Sequence, residues 1–412
     1  MYNFIIGLYA FVVYIISPFH KKARLMVKGH RDVFKKLEAE IDPTAKYIWL
    51  HAASLGEFEQ GRPIIEDIKA KHPHYKILLT FFSPSGYEVR KDYNLADIVC
   101  YLPFDRKSKV KRFLKLANPY MAIFIKYEFW YNYVNQLNKR NTPIYMVSAI
   151  FRPNQIFFRW YGRLYQKMLH FYSCICVQDE NSKQLLNNIG VTNVEVCGDT
   201  RFDRVLEIKN NAKPLPLAEA FSKNEKGEKH MTLVAGSSWP KDEDIFVKYF
   251  NDTPELKLII APHEIHEAHL NYIESILKRP SIRYSKATLE NVHQYDCLII
   301  DSFGLLSSLY GYGKIAYVGG GFGVGIHNIL EAAVYSIPVF FGPNFKKFRE
   351  AHQIIEEGGG YPIQDEENFW SLMNEFVEYP QVLTSAGNHA GRYVQDNAGV
   401  VTKVMQIINL KD

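Results

Sequence analysis

Two carboxylates in this chain stand where acid–base chemistry is feasible. Glu57 ends the segment HAASLGE at 51–57, directly after an apolar run at 47–51 (YIWLH) and at the start of a helical stretch reaching residue 71. Ser54 and Gly56 suit a tight turn that leaves helix-start amides open to a ligand. Glu57 itself reads in two ways. It is either a first-turn carboxylate favouring the helix dipole or a general base whose partial burial raises its pKa. Glu128 lies among aromatic residues in KYEFW at 126–130, after the run MAIFI. A carboxylate at the carboxyl end of a strand can stabilise a cationic transition state. A structural salt bridge is equally compatible with the residues.

Other segments are suited to anions. SPSG at 83–86 repeats the strand–turn–helix arrangement, with Ser83 or Ser85 as cap and Pro84 near the first helical position. Its amides can hold an acceptor phosphate or hydroxyl, with ordinary capping as the alternative. Ser54, Gly56, Ser83, Ser85 and Gly86 are thus the candidate acceptor residues. Arg201, in GDTRFD at 198–203, carries a fork able to bind two phosphate oxygens at once. The run GGGFGVG at 319–325 fits G-x-G-x-x-G in no register, so a dinucleotide cofactor is not expected. The next residues, IHNILE at 326–331, read as a helix start, with Asn328 as cap and Glu331 at capping-box spacing. A nucleotide phosphate on those amides, with Glu331 on a ribose, is the functional alternative. His263, His266 and His269 are three apart and lack H-E-x-x-H, so no metal is expected.

These residues need a scaffold, and the hydrophobic pattern supplies one. Apolar runs at 47–51, 76–82, 121–125, 144–148 and 173–178 alternate with helical stretches, and the pattern restarts at 231–235, 257–261, 296–300, 315–318 and 338–341. Such β–α alternation predicts parallel sheets covered on both faces. The polar stretch at 210–230 reads as a linker. The expected organisation is an anchor at 1–20, a Rossmann-like domain at 21–209, the linker at 210–230 and a second Rossmann-like domain at 231–412. The last helix is able to pack back on the first domain. Two doubly wound domains predict a ligand cleft at the carboxyl ends of their sheets.

Of the 412 residues, 47% are hydrophobic and 23% charged, which excludes a disordered or fibrous chain. The net charge of +5 is local. Residues 1–19 carry no charge, residues 20–36 carry +6, and the remainder sums to −1. A nucleic-acid binder with a basic main body is therefore not expected. The apolar run at 4–19 reaches roughly 24 Å as a helix, short of a ~30 Å hydrocarbon core. It lacks basic residues before it and a small-residue cleavage site after it, as a secretory signal would have. It reads as a retained membrane anchor, spanning at a tilt or lying in the interface, with a buried helix as the alternative. The basic collar behind it would stay cytoplasmic and attract anionic lipid. The five cysteines read as free thiols. Two basic stretches remain: 106–115 as a solvated helix face, and 151–173 as either a lipid-facing surface or a core helix with snorkelling cations.

Taken together the motifs resemble the lipid A 3-deoxy-D-manno-octulosonic acid (Kdo) transferases. The likeness spans nearly the whole chain: the anchor, H-x-x-S-x-G-E at 51–57, S-P-S-G at 83–86, E-x-W at 128–130 and G-D-T-R-F-D at 198–203. It continues through G-S-S at 236–238, A-P-H at 261–263, D-S-F-G at 301–304, H-N-x-L-E-A-A from 327, then F-G-P and F-R-E. The resemblance implies an inverting glycosyltransferase of the GT-B fold, α/β with two Rossmann-like domains, using CMP-Kdo with no metal or other cofactor. The acceptor would be a lipid A precursor (lipid IVA), bound by the first domain at the cytoplasmic side of the inner membrane. Glu57 would be the base, and Glu128 and Arg201 the transition-state stabilising positions. Pro262, His263, Phe303, Gly304, Leu305, Asn328, Ile329, Leu330 and Glu331 match nucleotide-binding positions. Lys126, Arg201, His263, Leu305 and Ile329 depart from the residues common there: an acid, Lys, Arg, Glu and Pro. Another GT-B enzyme using a UDP-sugar, transferase or epimerase, is the alternative function, and a non-enzymatic membrane-docking module is a third.

Overall fold

The computed structural model describes residues 2–224 and 226–411. It divides into two units, Met1–Arg204 with Ala398–Asp412, and Val205–Asn397. The first holds β1 (Tyr47–Ala52), β2 (Lys76–Phe81), β3 (Ile98–Tyr101), β4 (Met121–Ile125), β5 (Ile144–Ala149), β6 (Cys174–Val177) and β7 (Val194–Val196). These form one parallel sheet in the order β3-β2-β1-β4-β5-β6-β7. The second unit holds β8 (Met231–Ser238), β9 (Leu256–Pro262), β10 (Ser281–Arg283), β11 (Cys297–Ile299), β12 (Ile315–Val318), β13 (Val339–Phe341) and β14 (Gly360–Pro362). Its parallel order is β10-β11-β9-β8-β12-β13-β14. Central strands such as β1 and β4 are buried along their whole length, the reason they read as unbroken apolar runs.

Both sheets have a switch point, where the strand order reverses. It lies between β1 and β4 in the first unit and between β8 and β12 in the second. Crevices outside the carboxyl ends of such strands are where doubly wound folds place ligands. The segments that follow these four strands are the ones carrying Glu57, Glu128, Trp239 and the glycine-rich run.

The helices of the first unit that matter to the site are α1 (Tyr2–Ile16), α2 (Lys21–Glu40), α3 (Leu55–Lys71), α4 (Pro84–Arg90), α5 (Lys107–Ala117) and α6 (Tyr131–Lys139). α2 buries Met26, His30, Val33 and Leu37 on one stripe and leaves most of its cations outside. α1 has no fully buried residue, and Phe4, Ile5, Leu8, Phe11, Val12, Tyr14 and Ile15 are exposed. No single helix among the described residues is long and apolar enough to cross a membrane, and α1 and α2 bend by 118° at the break between them.

Three expectations need correction. The stretch at 210–230 is not a bare connector: it carries a helix, Pro216–Ser222, and lies inside the second unit. The 151–173 stretch is not one helix but a short turn, Ile156–Phe158, and a two-turn helix, Arg163–Leu169. It mixes both readings, since Phe157, Met168 and Leu169 are core while Trp160 is 87% exposed. The third concerns 326–331 and is described with the site. The 106–115 stretch forms α5, whose Val110, Phe113 and Leu114 are buried beneath an outer cationic face. All five cysteines are buried and free.

Candidate active site

In the first unit, Glu57 occupies the first turn of α3, three residues after the helix-capping position Ser54. Ser54 makes no side-chain cap bond. Instead the Glu57 carboxylate turns back, and its Oε2 accepts from the Ala53 backbone N–H at 2.6 Å. The Ala53 carbonyl in turn accepts from Ser83 N at 2.8 Å, so the turns after β1 and β2 are tied together. Ser83 caps α4, its Oγ accepting from Ser85 N and lying 3.0 Å from Ser85 Oγ, with Pro84 as first helical residue. Gly86 is packed so closely that an added Cβ would sit 2.3 Å from the Phe81 ring, whereas one on Gly56 would meet nothing within 4 Å. Gly86 is thus a packing glycine, and Gly56 leaves open room beside the base.

Glu128 follows β4 by way of Lys126, whose φ of 64° lies in the left-handed region. Glu128 is 7% exposed. Its Oε2 takes both His51 Nε2 at 2.9 Å and the Trp130 indole N–H at 2.5 Å. His51, fully buried at the end of β1, is fixed from its other side by Thr80. Burial is the main force on Glu57, followed by the charge of Glu128; together they push its pKa from 4.5 up to about 7. The Ala53 N–H, His51 and Lys126 oppose that shift without cancelling it. A carboxylate poised near neutrality is what a general base requires.

Arg201 opens the helix Arg201–Asn210, and its Nε and Nη2 both reach Asp199 Oδ2, at 2.9 and 2.8 Å. Asp199 is buried and also accepts from Arg201 N and from Gln60 of α3. Burial pulls its pKa up, but the Arg201 charge and these hydrogen bonds hold it below the usual carboxylate range. Arg201 is therefore a braced cation rather than a mobile one. His51, Asp199 and Gln60 were not anticipated as supports. Only the G-D-T-R spacing hints at the Asp199–Arg201 pair.

In the second unit the switch point is lined by three rings. Trp239 follows β8 and His263 follows β9 after Pro262. The His263 ring stacks 4.8 Å from Trp239 and 4.5 Å from His327, and the Trp239 indole N–H reaches His327 Nε2 at 3.4 Å. Burial, with His263 adjacent, lowers the His327 pKa. Buried Asp242 organises the glycine-rich run, accepting from Gly320 N, Trp239 N and Tyr317 Oη at 2.9, 3.0 and 2.9 Å. Trp239 and Asp242 went unrecognised, although W-P-K-D carries the Pro-at-N1 and acid-at-N3 signals of a helix start. Phe303 is exposed, Gly304 has φ +90°, and Leu305 is the capping position of a four-residue helix, Leu306–Leu309.

The helix expected from 326 is a single turn, Leu330–Ala333. Asn328 Oδ1 accepts from Leu330 N at 3.3 Å, and Glu331 accepts from the Asn328 side-chain amide at 3.0 Å. The histidines at 266 and 269 have separate tasks. His266 caps a helix, and His269 bridges Glu243 and the Glu264 carbonyl. Gly321 is closely packed within the glycine-rich run, because an added Cβ would lie 2.5 Å from the Gly342 backbone. Gly321→Ala is expected to destabilise by about 3 kcal/mol, lowering Tm by ~6–12 °C. Gly323→Ala, whose Cβ would meet only Gly320 O at 3.8 Å, should leave Tm within about 2 °C. Thermal melts of both variants check this.

Comparison with known proteins agrees with this geometry. The family model described as 3-deoxy-D-manno-octulosonic-acid transferase (kdotransferase) matches residues 26–204. The 3-deoxy-D-manno-octulosonic acid transferase of Aquifex aeolicus is 30% identical over 338 residues, covering 80% of this chain and 86% of that one. The Haemophilus influenzae enzyme of the same name is 26% identical, covering 77% and 75%. Among solved structures, UDP-GlcNAc 2-epimerase from Neisseria meningitidis superposes with a TM-score of 0.62 at 14% identity, covering 88% of this chain and 99% of that one. The Acinetobacter baumannii MurG structure gives 0.56 at 10%, covering 88% and 99%. These structural likenesses establish the GT-B fold alone. With its carboxylate pair, its braced arginine and its kinship over four-fifths of its length, the chain belongs to the 3-deoxy-D-manno-octulosonic acid transferase family and is a glycosyltransferase.

Proposed function

We propose that this enzyme transfers Kdo from CMP-Kdo, with inversion, to a hydroxyl of a lipid A precursor (lipid IVA) at the cytoplasmic side of the inner membrane. The observation that carries the reading is the Glu57 carboxyl in the first turn of α3, raised toward neutrality by burial and by the Glu128 charge and held by the Ala53 N–H. Glu57 takes the proton of the incoming hydroxyl as its oxygen bonds the anomeric carbon. The bond to CMP breaks, and the leaving group departs as a phosphate monoester carrying the electron pair. Positive charge builds at the anomeric carbon meanwhile, and Glu128 suits its stabilisation. Arg201, braced by Asp199, supplies a fixed cation for an anionic group. Pro262, His263, Phe303, Gly304, Leu305 and residues 328–331 form the proposed nucleotide site. Ser54, Ser83 and Ser85 are the proposed acceptor contacts. The exposed apolar side of α1 and the cations of α2 support a surface that rests on anionic lipid.

Mass spectrometry of the product from CMP-Kdo and tetraacylated lipid A precursor tests the reaction, an unchanged acceptor mass overturning it. The nucleotide is tested separately. CMP at about a hundred times its Kd is expected to stabilise by ~2.7 kcal/mol, a rise in Tm of ~5–10 °C, with UDP giving far less. An equal or larger shift with UDP would favour the UDP-sugar alternative.

A further inference from the structure

α1 has an inward side as well as an outward one. Tyr2 and Tyr9, seven residues and two turns apart, share a helix face that meets the rest of the unit, Tyr2 half-buried and Tyr9 with 44% of its surface still exposed. Tyr2 Oη donates to Asp105 Oδ2 and accepts from Tyr131 N, while Asn3 Oδ1 accepts from Asn132 Nδ2 at 2.8 Å. Buried Asp105 also accepts from Asn132 N and Tyr133 N, at 2.9 and 3.1 Å. These are the first-turn amides of α6, which starts three residues after Glu128. A second line of contacts runs through rings. Tyr9 stacks on Phe82 at 6.3 Å and meets Phe104 edge-on at 6.0 Å, and Phe82 packs on Trp130 at 4.6 Å. Trp130 then donates to Glu128. α2 buttresses this cluster with His30, 3% exposed, its ring stacked 4.3 Å from Phe104 and neither nitrogen hydrogen-bonded.

We propose that α1 is part of the active-site scaffold, with Tyr2 and Tyr9 as positioning residues that hold Glu128 in place, so that transfer depends on α1 being seated. A helix serving only as an anchor needs its outward apolar side. It has no use for a tyrosine hydroxyl on a buried carboxylate or for ring contacts leading to a catalytic one. Removing the Tyr2 hydroxyl leaves Asp105 short of a donor in a buried setting and loosens the start of α6. Removing the Tyr9 ring lets Phe82 and Trp130 relax, and Trp130 is one of the two groups that aim the Glu128 carboxylate. Trp130 and Tyr131, the two residues that follow Phe129, are thus both held by contacts that lead back to one helix.

The inference rests on the proposed role of Glu128, so Glu57→Gln and Glu128→Gln are assayed beside it. Full-length Tyr2→Phe, Tyr9→Ala and the double variant are measured with CMP-Kdo and saturating tetraacylated lipid A precursor in detergent micelles, where recruitment to a bilayer does not limit the rate. The expected result for the double variant is a kcat at least tenfold lower, with KM for either substrate within about twofold. The acid limb of its pH profile should move below that of the wild type, because Glu128 no longer faces Glu57 squarely. Tyr9→Phe should restore the Tyr9→Ala loss, and flotation of Tyr2→Phe on anionic vesicles should be unchanged. An unchanged kcat and pH profile, or a loss confined to acceptor KM or to flotation, overturns the inference. Full activity in Glu57→Gln or Glu128→Gln overturns the reading of the site instead. If the double variant does not fold, Tyr2→Phe, which removes one oxygen atom, decides by the same measures.

Discussion

Glu57→Gln is expected to lower kcat by about 10²- to 10⁴-fold, the span a positioned general base contributes. Nucleotide binding should survive, since the proposed CMP residues lie in the other unit. In the wild type the rate should rise with pH through a midpoint near 7, where Glu57 loses its proton, and fall about tenfold per unit below it. The same shift predicts an opposite effect on stability. The pKa of about 7 in the fold exceeds the ordinary 4.5, so the proton stabilises the fold. That contribution is complete below 4.5 and lost as the pH rises through 7. Glu57→Gln, which carries no charge to bury and can still accept from Ala53 N, should therefore raise Tm at pH 8 while stopping transfer. Near-normal turnover, or a Tm at pH 8 lower than that of the wild type, would sink the assignment.

Glu128→Gln should reduce kcat by about 10²- to 10³-fold, the range for one fixed electrostatic group acting on developing charge. Here the plateau rate separates two explanations. Removing the Glu128 charge takes away the second cause of the raised Glu57 pKa, so the acid limb of the remaining activity should move downward in either case. A carboxylate that served only as the structural partner of His51 would differ in the plateau. Its loss would lower Tm and leave kcat per folded molecule, measured above the acid limb, where it was. Steady-state rates between pH 5.5 and 9, with melts at the same pH values, decide the matter.

The parts of this site that could be read from the chain are those determined by near neighbours. A strand, a capping residue and an acid three positions on place Glu57 at a helix start, and the run before KYEFW puts Glu128 just beyond a strand end. What could not be read depends on pairing across distance. His51 and Glu128 are 77 residues apart, and Gln60 and Asp199 are 139 apart. No local spacing says that β1 and β4 lie side by side. Four strands also escaped notice, and all four are sheet edges: β3, β7, β10 and β14. Three residues of VEV, SIR or GYP give no alternation to count, and IVCY, though apolar throughout, is only four residues long. The inward side of α1 was hidden for a related reason. Tyr9 sits within, and Tyr2 just before, a run so apolar that it reads as uniformly lipid-facing, and only their partners distinguish them.

The return of the chain at residue 398 bears on how the protein is made. Val400, Val404 and Ile408 of the last helix are buried in the same core as Ile64, Ile65 and Ile68 of α3. Asp203 accepts from the amides of Gly399 and Val400 at 3.0 Å, and Tyr75 donates to the carbonyl of Lys411. The first unit therefore lacks one of its walls until residues 398–411 have been translated. On a ribosome, residues 1–204 emerge first yet cannot complete their core until the second unit has been made. A nascent chain stalled or clipped before residue 398 would carry an open apolar face on α3, marking it for chaperones and proteases before it could act on any sugar.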